Sequence, residues 1–389
     1  LSPLYPLYMI PNASLNARFR VPFDHRVHFT RGVLDPANRT LVDALEPTRH
    51  GEARVVFMVD SGLVVNDWSV LDRINAYVQT HRTINRVGPK SLIVPGGEKA
   101  KNDPSVLDGL LLTIDAAHLC RRSYLVAIGG GAMLDAVGYA AAIAHRGIRL
   151  VRLPSTTLAQ DDSGVGVKNG INHFGKKNFL GTFAVPHAVI NDLDLLTSLE
   201  DRDWRSGFSE AVKVAIVKDA AFFDEIEHAA PAIAARDLSA AEPIIRRSAQ
   251  LHLDHITKGG DPFESTVARP LDFGHWSAHK LEQLSNYTIR HGEAVAIGVA
   301  LDTLYSSIAG DLPTSDAQRV IAVLKALGFN LDSPLLADPR LVDGLEEFRE
   351  HLGGQLTISL LNEIGTPYDA HQIDQNILKE SIAQLRSLG

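Results

Sequence analysis

The feature that most constrains the fold is an alternation in the first half of the chain. Short apolar runs rich in β-branched residues are each followed by a stretch with helical spacing. Arg54–Asp60, Lys90–Pro95, Ser123–Ile128 and Arg149–Pro154 read as strands, while residues 68–81 and 103–119 carry apolar positions three and four apart. This pattern predicts a parallel sheet, because strands running the same way need a crossover between them, usually a helix.

After about residue 195 the pattern changes. Residues 200–229, 240–258, 275–285, 292–309 and 315–327 read as helices, and β-branched clusters thin out. A boundary near 193–197 divides the chain into an α/β domain, 1–195, and an all-helical one, 196–389. The 389 residues suit two domains. With 45% hydrophobic residues, 30 Gly and 19 Pro, collagen-like and intrinsically disordered chains are excluded. Against 38 Lys and Arg stand 46 Asp and Glu, a net charge of −8 with no basic stripe. Nucleic acid and anionic membranes are therefore poor partners. No apolar run is long enough to span a bilayer. Leu1–Ile10 is apolar but short, is broken by Pro3 and Pro6, and lacks a preceding basic residue, so it does not read as a signal peptide. The absence of an initiator Met is read as a chain that begins inside the encoded one. A single cysteine, Cys120, excludes an internal disulfide and a cysteine zinc site, fits a cytoplasmic location, and reads as a small apolar residue rather than a nucleophile.

Three segments carry chemistry. Gly129-Gly130-Gly131, with Asp135 following, ends a strand and opens a helix. Glycine there lets a backbone approach a pyrophosphate at a helix N-terminus, or simply makes a tight turn. Asp60 ends another strand, where an acidic residue can meet a ribose hydroxyl or start a turn. Asp161 to Asn178 gathers acids, glycines and the lysines Lys168, Lys176 and Lys177. That is either a phosphate-binding loop or a solvated one. The third segment is discontinuous: Glu210 with Lys213, then Phe273-Gly274-His275 with His279, then His291-Gly292-Glu293. Two histidines and a carboxylate suit catalytic zinc, although 16 histidines in the chain make close pairs expected by chance.

In order, these motifs are GlyGlyGly-x-x-x-Asp, Asp-Ser-x-Val-Gly-x-Lys, Lys-Asn, Glu-Ala-Val-Lys, Phe-Gly-His-x-x-x-His and His-Gly-Glu-Ala-Val-Ala-Ile-Gly. Together they resemble the dehydroquinate synthase superfamily, the sugar phosphate cyclases, over residues 54–365. The resemblance implies a Rossmann-like NAD-binding α/β domain, a helical metal-binding domain, and a homodimer. It implies Glu210, His275 and His291 as ligands of Zn2+ or Co2+. It implies Gly130, Gly131, Asp135, Asp60, the Glu98/Lys101 pair, Ser155 and Thr156 around NAD. Asp162, Lys168, Lys213, His279 and Asp272 would be catalytic, with Lys177 and Asn178 on the substrate and Arg146 reaching the phosphate across the dimer. The implied reaction oxidises a hydroxyl with NAD, eliminates phosphate, re-reduces the ketone, opens the ring and closes a carbocycle by aldol addition.

Departures from the dehydroquinate synthase pattern bear on the substrate. Its Arg-x-x-x-Asn-Phe-Gly-His becomes Ala268-Arg269-Pro270-Leu271-Asp272-Phe273-Gly274-His275, a lysine aligns with His252, and a Lys-Lys pair becomes Arg349-Glu350-His351. Lost cations and a gained anion disfavour a carboxylate substrate, since an unpaired buried carboxylate costs several kcal/mol. The changes resemble the sedoheptulose 7-phosphate cyclase branch, which implies an uncarboxylated heptulose phosphate contacted by Arg269, His252, Arg349 and His351. A dehydroquinate synthase, a metal-dependent polyol dehydrogenase and a non-catalytic NAD- or sugar-binding protein remain as alternatives.

Overall fold

A computed structural model describes residues 14–47, 51–259, 263, 271–351 and 354–388, with only the backbone of His351. Leu1–Ile10, Ala268 and Arg269 lie outside them.

The first half builds a seven-stranded parallel sheet. Its strands are β1 (Val27–Thr30), β2 (Ala53–Asp60), β3 (Ile84–Arg86), β4 (Leu92–Val94), β5 (Tyr124–Gly129), β6 (Arg149–Pro154) and, after an intervening hairpin, β9 (Ala188–Asp192). The order is β1-β9-β6-β5-β2-β3, and β4 also pairs with β2, beyond β3. Strand β2 is an unbroken apolar run because both its faces are covered. Val55, Phe57 and Val59 pack into one core, Val56 and Met58 into another. The sheet helices are α1 (Thr40–Ala44), α2 (Ser61–Asn66), α3 (Ser69–Thr80), α4 (Lys99–Asn102), α5 (Pro104–Ala116) and α6 (Gly131–Ile143). After β2 the chain turns towards β3 and β4, then crosses to β5 on the other side. The carboxyl ends of β2 and β5 therefore border a topological switch point, where open α/β sheets bind ligands.

The acid- and lysine-rich segment is more ordered than a solvated loop. A single wide π-helical turn, Ala159–Ser163, leads into the antiparallel hairpin β7 (Lys168–His173) and β8 (Lys176–Phe183).

The second half comprises α7 (Asp201–Lys218), α8 (Ala220–Ala234), α9 (Leu238–Lys258), α10 (His275–Leu284), α11 (His291–Ile308), α12 (Thr314–Ala326), α13 (Asp343–His351) and α14 (Gln375–Leu388). The helix expected over 200–229 is two helices. Asp219 is extended, at φ −157°, and its carboxylate accepts the N–H of Phe222 at 3.1 Å, capping α8. At the centre lies α11, buried continuously from Ala294 to Ser306, as an all-round apolar helix must be. This half is helical but not helical throughout: β10 (Ile358–Glu363) and β11 (Thr366–Ala370) form an antiparallel hairpin docked on α7, where Gly365 N–H donates to Ile216 O at 2.7 Å. Among the described residues no helix is long and apolar enough to cross a membrane.

Candidate active site

At the switch point the Asp60 carboxylate accepts N–H groups from Gly62 at 2.8 Å and Gly130 at 3.3 Å. Burial raises its pKa against these bonds. Gly130 caps α6, whose first residue is Gly131. A Cβ on Gly131 would stand 2.4 Å from Ser163 Oγ, and one on Gly129 2.8 Å from Asp60 Cβ. Only a bare backbone fits this crevice. Ser155 is buried with its N–H on Gly129 O at 2.9 Å, and Thr156 packs against Gly130. Asp135 is paired with Lys101 at 2.8 Å. Glu98 and Lys101 are therefore not partners of each other. Glu98 instead accepts from Asn172 at 2.8 Å and faces Lys177 at 3.7 Å, because α4 turns the two side chains to different neighbours.

The second cluster is built from three helices. Glu210 is wholly buried in the middle of α7, while His275 and His291 are the first residues of α10 and α11. Their Nε2 atoms lie 3.5 and 3.3 Å from Glu210 Oε1, and one ligand atom from each of the three falls within 4.8 Å of the others. The opposite ring nitrogens are engaged: His275 Nδ1 donates to Phe273 O at 3.1 Å, and His291 Nδ1 to Glu282 Oε2 at 3.1 Å. In the neutral ring that fixes the tautomer in which Nε2 carries no proton. Lys213 pairs with Glu210, yet neither carboxylate oxygen has a partner of hydrogen-bond geometry among the described residues. Burial works to raise the Glu210 pKa, but Lys213 and His275 hold it well below the usual range. His291 is pushed up to about 9, burial being outweighed by Glu282.

Helix α10 begins with a left-handed cap. Gly274 sits at φ +76°, and a Cβ there would meet Val299 N at 2.6 Å. Its N–H donates to Asp302 Oδ2 at 3.0 Å, and Trp276 Nε1 donates to Oδ1 at 2.9 Å. His279, one turn after His275, has its ring 5.3 Å from that ring and 5.9 Å from His291. Burial, then Lys177 and His275, press its pKa well down, so the ring is neutral.

The remaining expected residues divide. Asp162 and His252 form a pair at 2.8 Å, and Asp162 acts electrostatically on Lys213. Asp272 accepts from Ser359 Oγ at 3.2 Å and from His275 N–H through its backbone oxygen at 2.9 Å. Lys177 is held by Glu282 at 2.7 Å. Lys168 and Asn178 are exposed on the hairpin, Asn178 at φ +54°. Arg146 stands on an exposed turn and lines a surface groove with Arg121 and Arg149, a groove that no residue of the histidine cluster lines. Arg349 is engaged by Glu346 at 2.8 Å on α13, and no hydrogen bond or ion pair among the described residues ties it to the cluster. Arg269 and the side chain of His351 lie outside the described residues. Sequence reasoning missed Glu282, Asp302 and Arg152. Glu282 was within reach, since it follows His279 by one helical turn on the same face.

Comparison with known proteins bears directly on this geometry. Residues 91–206 match the 3-dehydroquinate synthase N-terminal family and residues 207–347 its C-terminal family. The chain is 32% identical to a 2-epi-valiolone synthase of Actinosynnema mirum, over 93% of this chain and 92% of that protein. The chain belongs to the 3-dehydroquinate synthase superfamily. It is a sugar phosphate cyclase in that broad sense, and an enzyme. It is 36% identical to a 3-dehydroquinate synthase of Ruegeria pomeroyi, over 76% of this chain and 82% of the relative. Among solved structures it resembles a 2-epi-5-epi-valiolone synthase from Streptomyces hygroscopicus with NAD+ and Zn2+ bound. The TM-score is 0.86 at 27% identity, covering 97% of this chain and 100% of that one.

Proposed function

We propose that the chain cyclises sedoheptulose 7-phosphate to a C7 cyclitol of the 2-epi-5-epi-valiolone type, using NAD and a Zn2+ or Co2+ ion. The observation that carries the substrate assignment is Asp272, whose carboxylate acts on Lys213 and whose backbone oxygen takes the N–H of His275. An anion so close to the cluster disfavours the carboxylate of a heptulosonate and can accept a hydroxyl of an uncarboxylated sugar. The near-full-length similarity to a 2-epi-valiolone synthase supports the same reading. The second reading is a 3-dehydroquinate synthase acting on 3-deoxy-arabino-heptulosonate 7-phosphate, favoured by the higher identity to relatives of that name.

The residues fit both groups. Glu210, with two buried oxygens that lack hydrogen-bond partners among the described residues, joins the open Nε2 atoms of His275 and His291 in a donor set suited to zinc or cobalt. The crevice formed by Asp60, Gly129, Gly130 and Gly131 suits a pyrophosphate. When bound, NAD supplies a reversible hydride acceptor and the metal a Lewis acid. Lys213 and Asp162 hold opposite charges beside the metal ligands, where they can steady oxyanions and orient hydroxyls. His279, whose pKa is pressed well down, can hydrogen-bond a substrate hydroxyl as a neutral ring. Lys177, Lys168 and Asn178 present the hairpin to the phosphate. Further parts of the proposal are a domain division near residue 195, a cytoplasmic homodimer in which Arg146 serves the partner's phosphate site, and substrate contacts from His252, Arg269, Arg349 and His351.

The test is product NMR after incubating metal-loaded enzyme and catalytic NAD with sedoheptulose 7-phosphate, with the heptulosonate phosphate in a parallel tube. The expected result is a carbocycle and free phosphate in the first tube. Turnover in the second tube alone would replace this reading with the dehydroquinate one.

A further inference from the structure

Glu282 is 2% exposed, and its carboxylate takes three hydrogen bonds. Lys177 Nζ donates to Oε1 at 2.7 Å and to Oε2 at 2.9 Å, and His291 Nδ1 donates to the same Oε2 at 3.1 Å. One oxygen is thus shared between a metal-ligand imidazole on α11 and an ammonium on the β7–β8 hairpin. His279, Glu282 and His291 also bring three ligand atoms within 4.8 Å, the geometry of a second cation site. The carboxylate of that set already holds a cation, the Lys177 ammonium.

We propose that Glu282 is a positioning residue that couples the metal ligand His291 to Lys177, so that what happens to the lysine is felt by the metal site. The physical basis is competition for one carboxylate. Lys177 draws on the charge of Glu282, which weakens the bond Glu282 accepts from His291 Nδ1–H. Relieving that draw strengthens the bond, makes Nε2 a better donor, and tightens metal binding. A phosphate group that engages Lys177 would act in the same direction. By linkage, a bound metal would then favour the state in which Lys177 is free for an anion. The proposal rests on the metal site of the preceding reading, but not on the identity of the sugar.

The experiment is a double-mutant cycle on metal affinity, measured without substrate. Zn2+ or Co2+ is titrated into the wild type, K177M, E282Q and the double variant in competition with a chromophoric chelator. The ligand-field spectrum of the Co2+ forms serves as a second readout. K177M is expected to bind metal about threefold to tenfold more tightly than wild type, although Lys177 makes its hydrogen bonds and ion pairs with Glu282 and Glu98 and not with the three ligands, and E282Q about tenfold more weakly. In the E282Q background the effect of K177M should shrink to the small direct effect of removing one charge. The proposal is overturned if K177M leaves affinity unchanged, or if its effect is the same in both backgrounds. A wild type that binds neither ion overturns this inference together with the metal site. Product identity plays no part, so failure of the sugar assignment is read separately.

Discussion

Arg152 donates a hydrogen bond to the side-chain oxygen of Asn169 at 2.6 Å, with Arg152 wholly buried and Asn169 nearly so. Its Nη groups also donate to the backbone oxygens of Gly164, Gly166 and Lys168 at 3.0, 2.7 and 3.2 Å. This buried cation is held through its two Nη groups by carbonyls instead of a carboxylate, while its Nε–H has no partner among the described residues. It shapes the segment that carries Asp162 and Lys168. Helix α6 makes room for the arrangement at Gly138, where a Cβ would fall 1.8 Å from Asn169 Oδ1.

Arg152→Met should therefore cost about 3 kcal/mol or more in urea unfolding, because it strands several buried acceptors at once. Arg152→Lys should recover less than half of the loss, since an ammonium lacks the planar fork. A loss below about 1 kcal/mol for the methionine variant would mean that the segment holds its own shape.

The Asp302 carboxyl ties the N-terminus of α10 to α11 and is pushed up to about 7. Burial and the charge of Asp272 outweigh the hydrogen bonds from Trp276 and Gly274. The folded chain keeps this proton at pH values where the unfolded chain, with a carboxyl near 4, has released it. Its contribution to stability therefore falls as pH rises from about 4 to about 7, by up to about 4 kcal/mol, and then levels off. The stability of Asp302→Asn relative to wild type should improve between pH 5 and pH 8. A pH-independent difference in unfolding free energy would rule the assignment out.

Asp272→Asn removes the anion beside the cluster. Activity towards sedoheptulose 7-phosphate should fall about tenfold, and binding of the heptulosonate phosphate should tighten by a similar factor. Steady-state kcat/KM for the first compound and inhibition by the second are the measurements. Equal changes for both would remove Asp272 as the discriminating residue.

Chelation should abolish cyclisation, and Zn2+ or Co2+ should restore it. NAD binding, followed by fluorescence, should persist through the treatment, because the residues proposed for it, Asp60, Gly130 and Gly131, are separate from Glu210, His275 and His291. Loss of NAD binding on chelation would show that the two clusters are not independent. Gly274→Ala should weaken metal binding even with every ligand present, since its Cβ would strike the backbone of α11 at Val299 and displace His275.

Much of this was legible along the chain. The central strands β2 and β5 were readable because a strand covered on both faces leaves an uninterrupted apolar run, and β6 was readable from its short β-rich pattern although Arg152 interrupts it. The polar hairpin and the short strands β1, β3 and β9 were not, since only their neighbours make them strands. The helical stretches up to α12 were visible from their spacing, but α13, α14 and the break at Asp219 were not. The break depends on the carboxylate turning back to cap α8 instead of facing solvent. The proposed metal set was nameable because Glu210, His275 and His291 sit in motifs shared with a family. Glu282 lay in no such motif, and its role follows from where Lys177 and His291 come to rest.

By itself, the sequence determined the secondary elements with strong periodicity, the glycine turn at 129–131 and the residue types available for a metal and a phosphate. Tertiary structure alone decided the partnerships. Lys101 pairs with Asp135 and not with Glu98, Asp162 is paired with His252, and Glu282 is divided between Lys177 and His291. Periodicity tells which face of a helix turns inward, because that is local geometry. It does not tell which other face it meets, because the crossing of α7, α10 and α11 is set by packing the whole apolar core, and the charged groups must pair with whatever that packing brings within reach.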